Sequence, residues 1–551
     1  MVWFPPGKNG DNPMVRDKKV GMDGNPFRSK GRLSKTLSNP KYYFLYLAGI
    51  LIAIAAIPRV FFPNWSFFPN GVDEGIDIMS GMMMSAGYTL YSQINTVQPP
   101  LMISIYGLLG FGPTPYRLLS TFTSLIIISL VMYLGYRIGG RSVMVASGAF
   151  LVMDVLFLHQ SRQASLDIFS LVWVVVAITL LVRTRKRWEN WTAVIMGITI
   201  GISIMTKLFG VIAAGGIFLI LMIDILSTTR WSSNMKIDRF LPPRGSEVRP
   251  RWEVLSVFVL SGAFVVLLIM VFFGAQDVFQ GIILNQLNRP RDGITTKLMF
   301  LGIFSLCNIV AIPFLFLGLK PLYRKPEGII IPLAALYLAF MLLQAKTWIH
   351  HLIFLSPALS LAAGVGIIRV FTTTRWWRLR KNFTISNRSI AYVQVFLILA
   401  AAIVGGGMAI IVGERGQPAS YNLSDRLKEV TNEEDYVISG DPMIPINADR
   451  NVPPEVVNVA IVQWPPISND QLNRTVIGYG VEAVIITYHL LDMEGFIDFV
   501  EKNFDLEAHI VESGMPYPME DTHYYLYTLK EDSPLRDLED WGSKVPPDLD
   551  S

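Results

Sequence analysis

The sequence predicts a polytopic α-helical membrane protein that also carries one soluble α/β domain, and three observations support this fold class. Apolar residues make up 52% of the 551 residues and charged residues only 16%, whereas soluble domains average about 25% charge. Up to residue 413 the apolar residues are concentrated in long runs. Residues 414–551 have an ordinary soluble composition, with alternating strand-like and helix-like patterns. The chain therefore divides into a membrane part and a soluble part.

A transmembrane helix needs roughly 20 predominantly apolar residues, and eleven segments come close to that length. They are 42–62, 115–137, 142–158, 164–183, 191–206, 208–226, 253–274, 297–317, 329–343, 352–371 and 390–413. The further apolar segment 99–112 would rise only about 21 Å as a helix, against a hydrocarbon thickness of about 30 Å. We predict that 99–112 lies in or dips into the membrane face, which leaves about 11 transmembrane helices.

The distribution of Lys and Arg predicts the orientation, because basic residues collect on the cytoplasmic side. With the N-terminus inside, the cytoplasmic segments hold about thirty of the 47 basic residues. These segments are 1–41, 137–141, 183–190, 227–252, 319–328 and 369–389. The protein is therefore expected to be a multi-pass protein of the cell membrane, with a disordered basic cytoplasmic tail and an extracytoplasmic C-terminal domain.

Three domains follow from this topology. Residues 1–41 are the cytoplasmic tail, residues 42–413 are the transmembrane domain, and residues 414–551 are the soluble domain. Within the transmembrane domain, residues 60–114 form the first outer loop, where apolar residues at helical spacing predict helices on the membrane surface.

The soluble domain contains four segments with strand character and one with helical character. The strands are predicted at 435–441 (DYVISGD), 456–461 (VVNVAI), 483–488 (AVIITY) and 523–529 (HYYLYTL), and the helix at 493–504. This mixture predicts a small α/β domain.

The first outer loop carries two adjacent carboxylates, Asp73 and Glu74, in a stretch that is otherwise poor in charge. Other isolated ionisable residues fall at the outer ends of the predicted helices or in the outer loops. They are Arg117, Arg162, Asp167, Lys207, Arg289, Arg291, Lys346 and His350. One face of the membrane is therefore expected to gather two loop carboxylates and a set of cations. Lys346 and His350 are four residues apart and would share a face if their segment is helical, and Asp77 is expected in a solvated turn of the surface helix.

This combination of residues suits the transfer of a phosphate-linked group at the membrane. A carboxylate can act as a general base toward an acceptor hydroxyl, while Lys and Arg can bind a phosphate and stabilise charge on a leaving group. Simpler roles stay open, because single cations can be interfacial anchors and Arg162 could pair with Asp167 at a helix start.

The composition also limits cofactors and partners. A single cysteine, Cys307, excludes an intrachain disulfide and a site built from several thiolates. No ligand spacing specifies a metal, so no cofactor is firmly implied, although a divalent metal on the carboxylates stays open. The net charge of +4 is small, and no nucleic-acid partner is expected.

The stretch DEGIDIMSGMMMSAGYTLYSQINTVQPPL, residues 73–101, resembles the first outer loop of the GT-C membrane glycosyltransferases, in particular glycosyltransferase family 39. That family includes protein O-mannosyltransferases and aminoarabinose transferases. Further blocks resemble the family in the same order: YRLLS (116–120), SRQASLDIFSL (161–171), GISIMTKLFG (201–210), AKTWIHHLIFLSPALSLAAG (345–364) and VISGDPMIPINADRNVPPEVVNV (437–459).

The resemblance implies an inverting transfer of a sugar from a polyprenyl phosphate, dolichyl or undecaprenyl, to an extracytoplasmic protein, lipid or glycan. Dolichyl-phosphate mannose is one such donor, and membrane lipid surrounds the enzyme. Asp73 would be the base or the acceptor-positioning carboxylate, with Glu74 beside it. Arg162, Lys207 and Lys346 would hold the donor phosphate, and His350 would orient it. Arg117, Asp167, Arg289 and Arg291 are further candidates for the site.

The alternative is a multi-pass transporter or flippase of a lipid or small solute. Such a protein needs ionisable groups or broken helices near the bilayer midplane. The charges here lie at predicted helix ends, which favours a glycosyltransferase.

Overall fold

The computed structural model describes residues 40–60, 72–109, 112–227, 241–244, 248, 251–373, 387–413, 419–459, 467–512 and 522–544. Nearly all of the predicted cytoplasmic tail lies outside the described residues. The same holds for most of the predicted basic loops 227–252 and 369–389.

The described chain is mostly helical. The α-helices are α1 Pro40–Val60, α2 Val72–Ser85, α3 Pro100–Gly107, α4 Thr114–Met153, α5 Val155–Gln160, α6 Leu166–Arg187, α7 Asn190–Thr206, α8 Gly210–Leu226, α9 Trp252–Phe272, α10 Ala275–Val278, α11 Asn285–Leu287, α12 Ile294–Cys307, α13 Ile312–Tyr323, α14 Ile330–Leu343, α15 Ser356–Thr373, α16 Asn387–Gly413, α17 Ala419–Val430, α18 Met443–Ala448, α19 Asn469–Tyr479, α20 Tyr488–Leu491 and α21 Glu494–Asn503. A π-helical segment, Phe279–Leu284, joins α10 to α11. A 3₁₀ segment, Ile349–Leu355, leads into α15.

Within the described residues, five helices are long and apolar enough to cross a membrane, or six if one bent pair counts as a single span. Four shorter apolar helical segments accompany them: Leu45–Val60, Asn190–Thr206, Gly210–Leu226 and Tyr392–Gly405. The polytopic helical class is thus confirmed, whereas the predicted number of eleven spans is not confirmed.

Helix α9 shows why this fold requires lipid. Its side chains Leu260, Phe264 and Val271 are 68%, 65% and 72% exposed. So much apolar surface on one helix would be unfavourable in water, but it is compatible with hydrocarbon. Helix α9 therefore presents apolar side chains outward, as a helix in contact with lipid does.

Helix α4 contains a chain reversal that the sequence predicts. The residues Gly139 and Gly140 depart from helical geometry, and Gly140 has φ 72° and ψ −160°, a combination open essentially to glycine alone. A Cβ atom on Gly135 would lie 3.0 Å from the carbonyl oxygen of Val143. The two arms of α4 thus fold back on one another, as expected for two spans separated near residue 140.

The predicted single helix at 297–317 is instead two helices. Helices α12 and α13 meet at an angle of 93°. The break falls just before Pro313, which lacks an N–H donor and sits in the first turn of α13. The side-chain amide of Asn308 donates to the carbonyl of Phe304 at 3.2 Å, which satisfies one orphan carbonyl at the end of α12.

Helix α6 separates two chemically different ends of the membrane part. Asp167 lies in its first turn, whereas Arg185, Lys186 and Arg187 lie in its last turn. Asp167 and Arg187 are 20 positions apart in the helix, which corresponds to a rise of about 30 Å, close to the hydrocarbon thickness. The basic cluster and Asp167 therefore lie a full membrane thickness apart.

Helices α2 and α3 form the part of the first outer loop that the structure describes. Helix α3 has eight residues and rises about 12 Å, which is too short to cross a membrane. Helix α2 buries Ile76, Ile78 and Met79 in a hydrophobic cluster that also contains residues of the C-terminal domain. Thus α2 is covered by protein on the side opposite the transmembrane helices.

The C-terminal domain contains a four-stranded sheet of order β1-β2-β4-β3. The strands are β1 Val437–Ser439, β2 Ala483–Ile486, β3 Phe504–Glu512 and β4 Thr522–Leu529. Strands β1 and β2 are parallel, whereas β4 is antiparallel to both β2 and β3. Helix α17 packs Leu423 and Leu427 on one face of the sheet. The mixed sheet with its helices confirms the predicted α/β region.

Three of the four predicted strands and the predicted helix α21 are present. The segment at 456–461 is not a strand in its described part, residues 456–459; a 3₁₀ turn spans Pro454–Val456 instead. The adjacent Pro453 and Pro454 lack the N–H donors that a sheet ladder needs. Strand β3 was not predicted, because its mixture of exposed and half-buried positions gives no clear apolar alternation.

Candidate active site

The first turn of α2 points its two carboxylates in different directions. Consecutive helical residues are about 100° apart around the axis, so Asp73 and Glu74 cannot share one environment. The Asp73 side chain is 69% exposed, whereas Glu74 is buried. The pair that looks equivalent in the sequence is therefore divided into an accessible carboxylate and a buried one.

Glu74 is held by three hydrogen bonds. The guanidinium of Arg117 donates to both carboxylate oxygens, with Nε to Oε1 at 2.8 Å and Nη2 to Oε2 at 2.9 Å. The backbone N–H of Ala164 donates to Oε1 at 2.8 Å. This Glu74 clamp joins α2, the start of α4 and the loop before α6. Bidentate, charge-assisted bonds of this kind fix geometry strongly.

A second group of ionisable side chains, the central cluster, consists of Asp73, Asp167, Lys207 and His350. Lys207 donates to Asp167 Oδ2 at 2.7 Å. His350 Nε2 lies 3.8 Å from Asp167 Oδ2 and 3.9 Å from Asp73 Oδ2. His350 thus stands between the two aspartates. Asp167 pairs with Lys207, and so the alternative of an Arg162–Asp167 ion pair is not what the structure shows.

The central cluster is assembled from four separate elements. Asp73 comes from α2, Asp167 from the first turn of α6, Lys207 from the C-terminal end of α7, and His350 from the 3₁₀ segment before α15. The predicted residues at helix ends therefore meet because these ends lie at one level of the bundle.

Two arginines lie near these groups. Arg289 interacts electrostatically with Asp73. Arg162 is buried, and burial together with the nearby guanidinium of Arg117 lowers the pKa of Arg162 to about 10. Arg162 still carries its charge at neutral pH. Neighbouring buried guanidiniums favour an anion in their vicinity, since each raises the electrostatic potential felt by the other.

Lys346 lies in a separate pair. It forms an ion pair with Asp292 at 2.9 Å, and its ammonium lies 5.2 Å from the ring centre of Trp348. The chain is not helical at residues 344–348, and so Lys346 does not share a helix face with His350 as the sequence suggested. Arg291 is exposed and forms no ion pair with any residue that the structure describes.

Asp77, one turn after Asp73, is a residue that the sequence placed at a solvated turn. The structure buries it instead. Burial raises the pKa of the Asp77 carboxyl well above its usual range, and the nearby carboxylates of Asp73, Asp167 and Glu74 act in the same direction against the opposing effect of Lys207. Its burial also keeps Asp77 away from an acceptor in solution. Its position at i+4 from Asp73 was the available sequence signal.

Asp167, His350 and His351 are spaced closely enough to hold a metal ion, with one ligand atom of each within 4.8 Å of the others. Two of these groups already have partners. Asp167 accepts from the ammonium of Lys207, and Nδ1 of His351 accepts from the backbone N–H of Trp348 at 3.2 Å. A dication would have to displace or repel Lys207. These residues therefore fit the ammonium group of Lys207 better than a metal ion.

An apolar cleft runs into the membrane part beside the central cluster. Its walls come from α6, α8, α14 and the segments around α15, and include Leu171, Val175, Ile212, Leu333, Tyr337 and Phe354. Phe209 also lines this cleft, and the centre of its ring lies 4.2 Å from the ring centre of His351. The ring of His351 lies 4.4 Å from that of His350. The cleft and the central cluster are thus adjacent.

The fold has counterparts among solved structures. The crystal structure of ArnT from Cupriavidus metallidurans bound to undecaprenyl phosphate matches with a TM-score of 0.59 at 12% identity, over 90% of this chain and 99% of that chain. The apo state of the same protein gives a TM-score of 0.60 at 12% identity, over 93% and 100%. The apo oligosaccharyltransferase of Archaeoglobus fulgidus gives 0.51 at 14% identity, over 91% and 76%. These matches establish the GT-C membrane fold.

Residues 111–276 match the family model described as dolichyl-phosphate-mannose-protein mannosyltransferase. No curated protein sequence matches the chain significantly. The match within the chain and the shared fold confirm the predicted resemblance to the GT-C glycosyltransferases. The protein is a multi-pass membrane glycosyltransferase.

Proposed function

We propose that the protein transfers a sugar from a polyprenyl phosphate to an acceptor hydroxyl, with inversion at the anomeric carbon. The observation that carries this proposal is the proximity of the apolar cleft to the central cluster, since the ring of His351 packs between Phe209 of the cleft and His350 of the cluster. A polyprenyl-phosphate sugar has an isoprenoid tail and an anionic head. The cleft offers an apolar surface for the tail, and the adjoining cations offer charge for the head.

Two features of known proteins agree with this donor. The matched family is named for dolichyl-phosphate mannose, and the ArnT structure contains undecaprenyl phosphate. The family match favours mannose as the sugar.

Asp73 is the proposed base. It takes the proton of the acceptor hydroxyl as the acceptor oxygen forms a bond to the anomeric carbon. The bond from that carbon to the phosphate oxygen breaks at the same time, and the polyprenyl phosphate leaves with one additional negative charge. Of the two adjacent carboxylates, only Asp73 is exposed, and an accessible carboxylate is what proton removal requires.

The leaving phosphate is stabilised by cations around Asp73. Lys207 and Arg289 are the proposed partners, since both interact electrostatically with Asp73. His350 lies within 4 Å of the central carboxylates and orients the phosphate. Arg162 adds buried positive charge behind the Glu74 clamp. Charge that is fixed in place before the reaction stabilises the transition state without reorganisation.

Glu74 has a different role in this proposal from the catalytic one that the sequence suggested. Both of its oxygens are occupied by Arg117 and Ala164, and it is buried. We assign it as a positioning residue that fixes the start of α2 and hence the direction of Asp73. Lys346 pairs with Asp292. In this proposal it binds the donor phosphate by exchanging that carboxylate for the phosphate.

A cleft-blocking variant tests the donor assignment. Ala334 lines the cleft, whereas the adjacent Ala335 is exposed on another side of the same helix. Ala334→Trp is expected to raise the KM for a radiolabelled polyprenyl-phosphate mannose at least tenfold, because the larger side chain fills the tail site. Ala335→Trp is the matched control and should leave this KM unchanged. Equal KM values in both variants would remove the cleft from the proposal.

The orientation is part of the same proposal: the N-terminus is cytoplasmic and the C-terminal domain is extracytoplasmic. After replacement of the single Cys307 by Ser, new cysteines at the exposed positions Arg187 and Asp540 can be labelled in intact cells. An impermeant maleimide should reach Asp540→Cys alone. Labelling of Arg187→Cys alone would show the opposite orientation.

A further inference from the structure

One edge of the C-terminal sheet is directed toward Asp73. Strands β1 and β2 are parallel, so their carboxyl ends lie at the same edge. The antiparallel pairing places the start of β4 and the end of β3 there too, because Ile486 pairs with Tyr525 and Glu512 pairs with Thr522. The carboxyl ends of parallel strands are a frequent place for ligands in open α/β sheets.

The two loops at this edge reach the catalytic helix. The loop after β1 packs against α2 at Gly75, where a Cβ atom would lie 2.7 Å from the backbone nitrogen of Met443. The loop after β2 carries Tyr488 and His489, and the Asp73 carboxylate acts electrostatically on both. Asp73 therefore lies between the other members of the central cluster on one side and this sheet edge on the other.

The edge combines an aromatic surface with hydrogen-bonding groups. Tyr488 is 42% exposed, and its ring lies 3.8 Å from that of His489. Burial lowers the pKa of His489 to about 4, so the ring is neutral at physiological pH. Asp441 follows β1 and accepts from the backbone N–H of Met443 at 3.0 Å.

The charged side chains at this edge are acidic. Asp441 and Glu512 supply carboxyl groups close enough to interact with one another. The described segments that form the edge, 437–444, 486–490, 510–512 and 522–525, contain no Lys or Arg. A negatively charged ligand group would therefore meet acidic residues here without a compensating cation from these segments.

We infer that this edge is the acceptor site and that its acceptor is a neutral saccharide. The inference rests on the proposed function and deepens it. The aromatic face of Tyr488 can pack on the apolar face of a sugar ring, and the half-buried Glu512 carboxylate and the His489 imidazole can form hydrogen bonds with sugar hydroxyls. The acidic edge excludes phosphorylated acceptors. One acceptor hydroxyl then points at Asp73.

Binding can be measured without any donor. Saturation-transfer NMR on the full chain in detergent should detect mannobiose, with magnetisation passing from aromatic side chains. Tyr488→Ala is expected to weaken this binding about fivefold to tenfold, and His489→Ala by a smaller factor. Leu506→Ala is the matched control, because Leu506 is exposed near the start of β3, where it pairs with Tyr527 at the opposite end of the strands. It should bind mannobiose as the wild type does.

Two competing probes complete the experiment. Mannose 6-phosphate should not bind, and neither should a neutral peptide rich in Ser and Thr. Mannobiose binding that is equal in the wild type and in Tyr488→Ala would overturn the inference. Stronger binding of the phosphorylated sugar or of the peptide would also overturn it.

A kinetic measurement separates this inference from the proposed function. Slow donor hydrolysis, with water as acceptor, requires the cleft and the central cluster but not the sheet edge. Tyr488→Ala should therefore raise the KM for a saccharide acceptor by a larger factor than it lowers the rate of donor hydrolysis. A wild-type protein that neither binds nor hydrolyses the donor would refute the proposed function, and saccharide binding would still decide the acceptor site.

Discussion

Two neighbouring carboxylates should respond in opposite ways to the loss of their charge. Asp73→Asn and Glu74→Gln each keep the side-chain size and remove one negative charge. In the structure Asp73 is 69% exposed, with His350 Nε2 at 3.9 Å, whereas Glu74 is buried against Arg117. We therefore expect Asp73→Asn to abolish turnover while the fold is retained, and Glu74→Gln to damage the fold itself.

The magnitudes follow from these contacts. An exposed charge with a distant partner adds little stability, so Asp73→Asn should change the free energy of unfolding by no more than about 0.5 kcal/mol. Loss of a general base lowers turnover about 100-fold to 10,000-fold, equivalent to about 3 to 5 kcal/mol of transition-state stabilisation. Glu74→Gln leaves the buried Arg117 without its counter-charge, which costs about 3 to 5 kcal/mol of stability.

Both quantities can be measured on the same detergent-solubilised samples. Turnover is followed as release of radiolabelled sugar from the polyprenyl phosphate. Unfolding is followed with a thiol-reactive dye, because the single cysteine, Cys307, is half-buried in the membrane part. The reasoning would be refuted if Asp73→Asn kept wild-type turnover. It would also be refuted if Glu74→Gln were as stable as the wild type but inactive, since Glu74 would then be the base.

Three further predictions concern other contacts. Lys207→Met leaves the buried Asp167 unpaired and should cost about 3 to 5 kcal/mol of stability. The double variant Lys207→Met with Asp167→Asn should regain this stability, but a binding assay should show that it does not regain donor affinity. Regained affinity would show that Lys207 does not touch the phosphate. Gly75→Val should loosen the C-terminal domain from α2, because its Cβ would lie 2.7 Å from the Met443 nitrogen. Limited proteolysis of this variant should therefore be faster than that of the wild type. Gly49→Ala is the control, since a Cβ atom there meets open space, and it should be cleaved no faster than the wild type. Burial raises the pKa of Asp441 from 3.8 to about 6. Because the folded protein then binds the proton more tightly than the unfolded chain, stability should increase by up to about 3 kcal/mol as pH falls from about 7 to 4. Denaturation curves of Asp441→Asn across that range should lack this increase, and the same pH dependence in wild type and variant would contradict the burial argument.

The structure brings predicted residues together where a residue's position along a helix was sufficient to place it. Asp167 and Lys207 were recognised because each lies at the end of an apolar run, and their helix ends do meet. The shared helix face of Lys346 and His350 failed, because the chain between them is not helical before residue 349. Asp77 was placed in solvent because the sequence does not reveal that α2 packs against the helix ends that carry Asp167 and Lys207.

Tyr488, His489 and Asp441 were not predicted as site residues at all. They lie more than 350 residues after Asp73 in the chain, in segments whose pattern indicates only strand ends. Their relation to Asp73 arises from the packing of one domain against another. No local pattern encodes such a contact, because it depends on two surfaces formed by distant segments.

The sequence by itself determined that this chain is a helical membrane protein with an α/β domain, since hydrophobic run length and side-chain alternation are local properties that the bilayer and the sheet select directly. It also determined which helix ends carry charge. Only the tertiary structure decided which charges meet. Glu74 pairs with Arg117 across 43 residues and Asp167 with Lys207 across 40, because helix packing, and not sequence spacing, sets those distances. The same packing left Asp73 accessible and buried its neighbour.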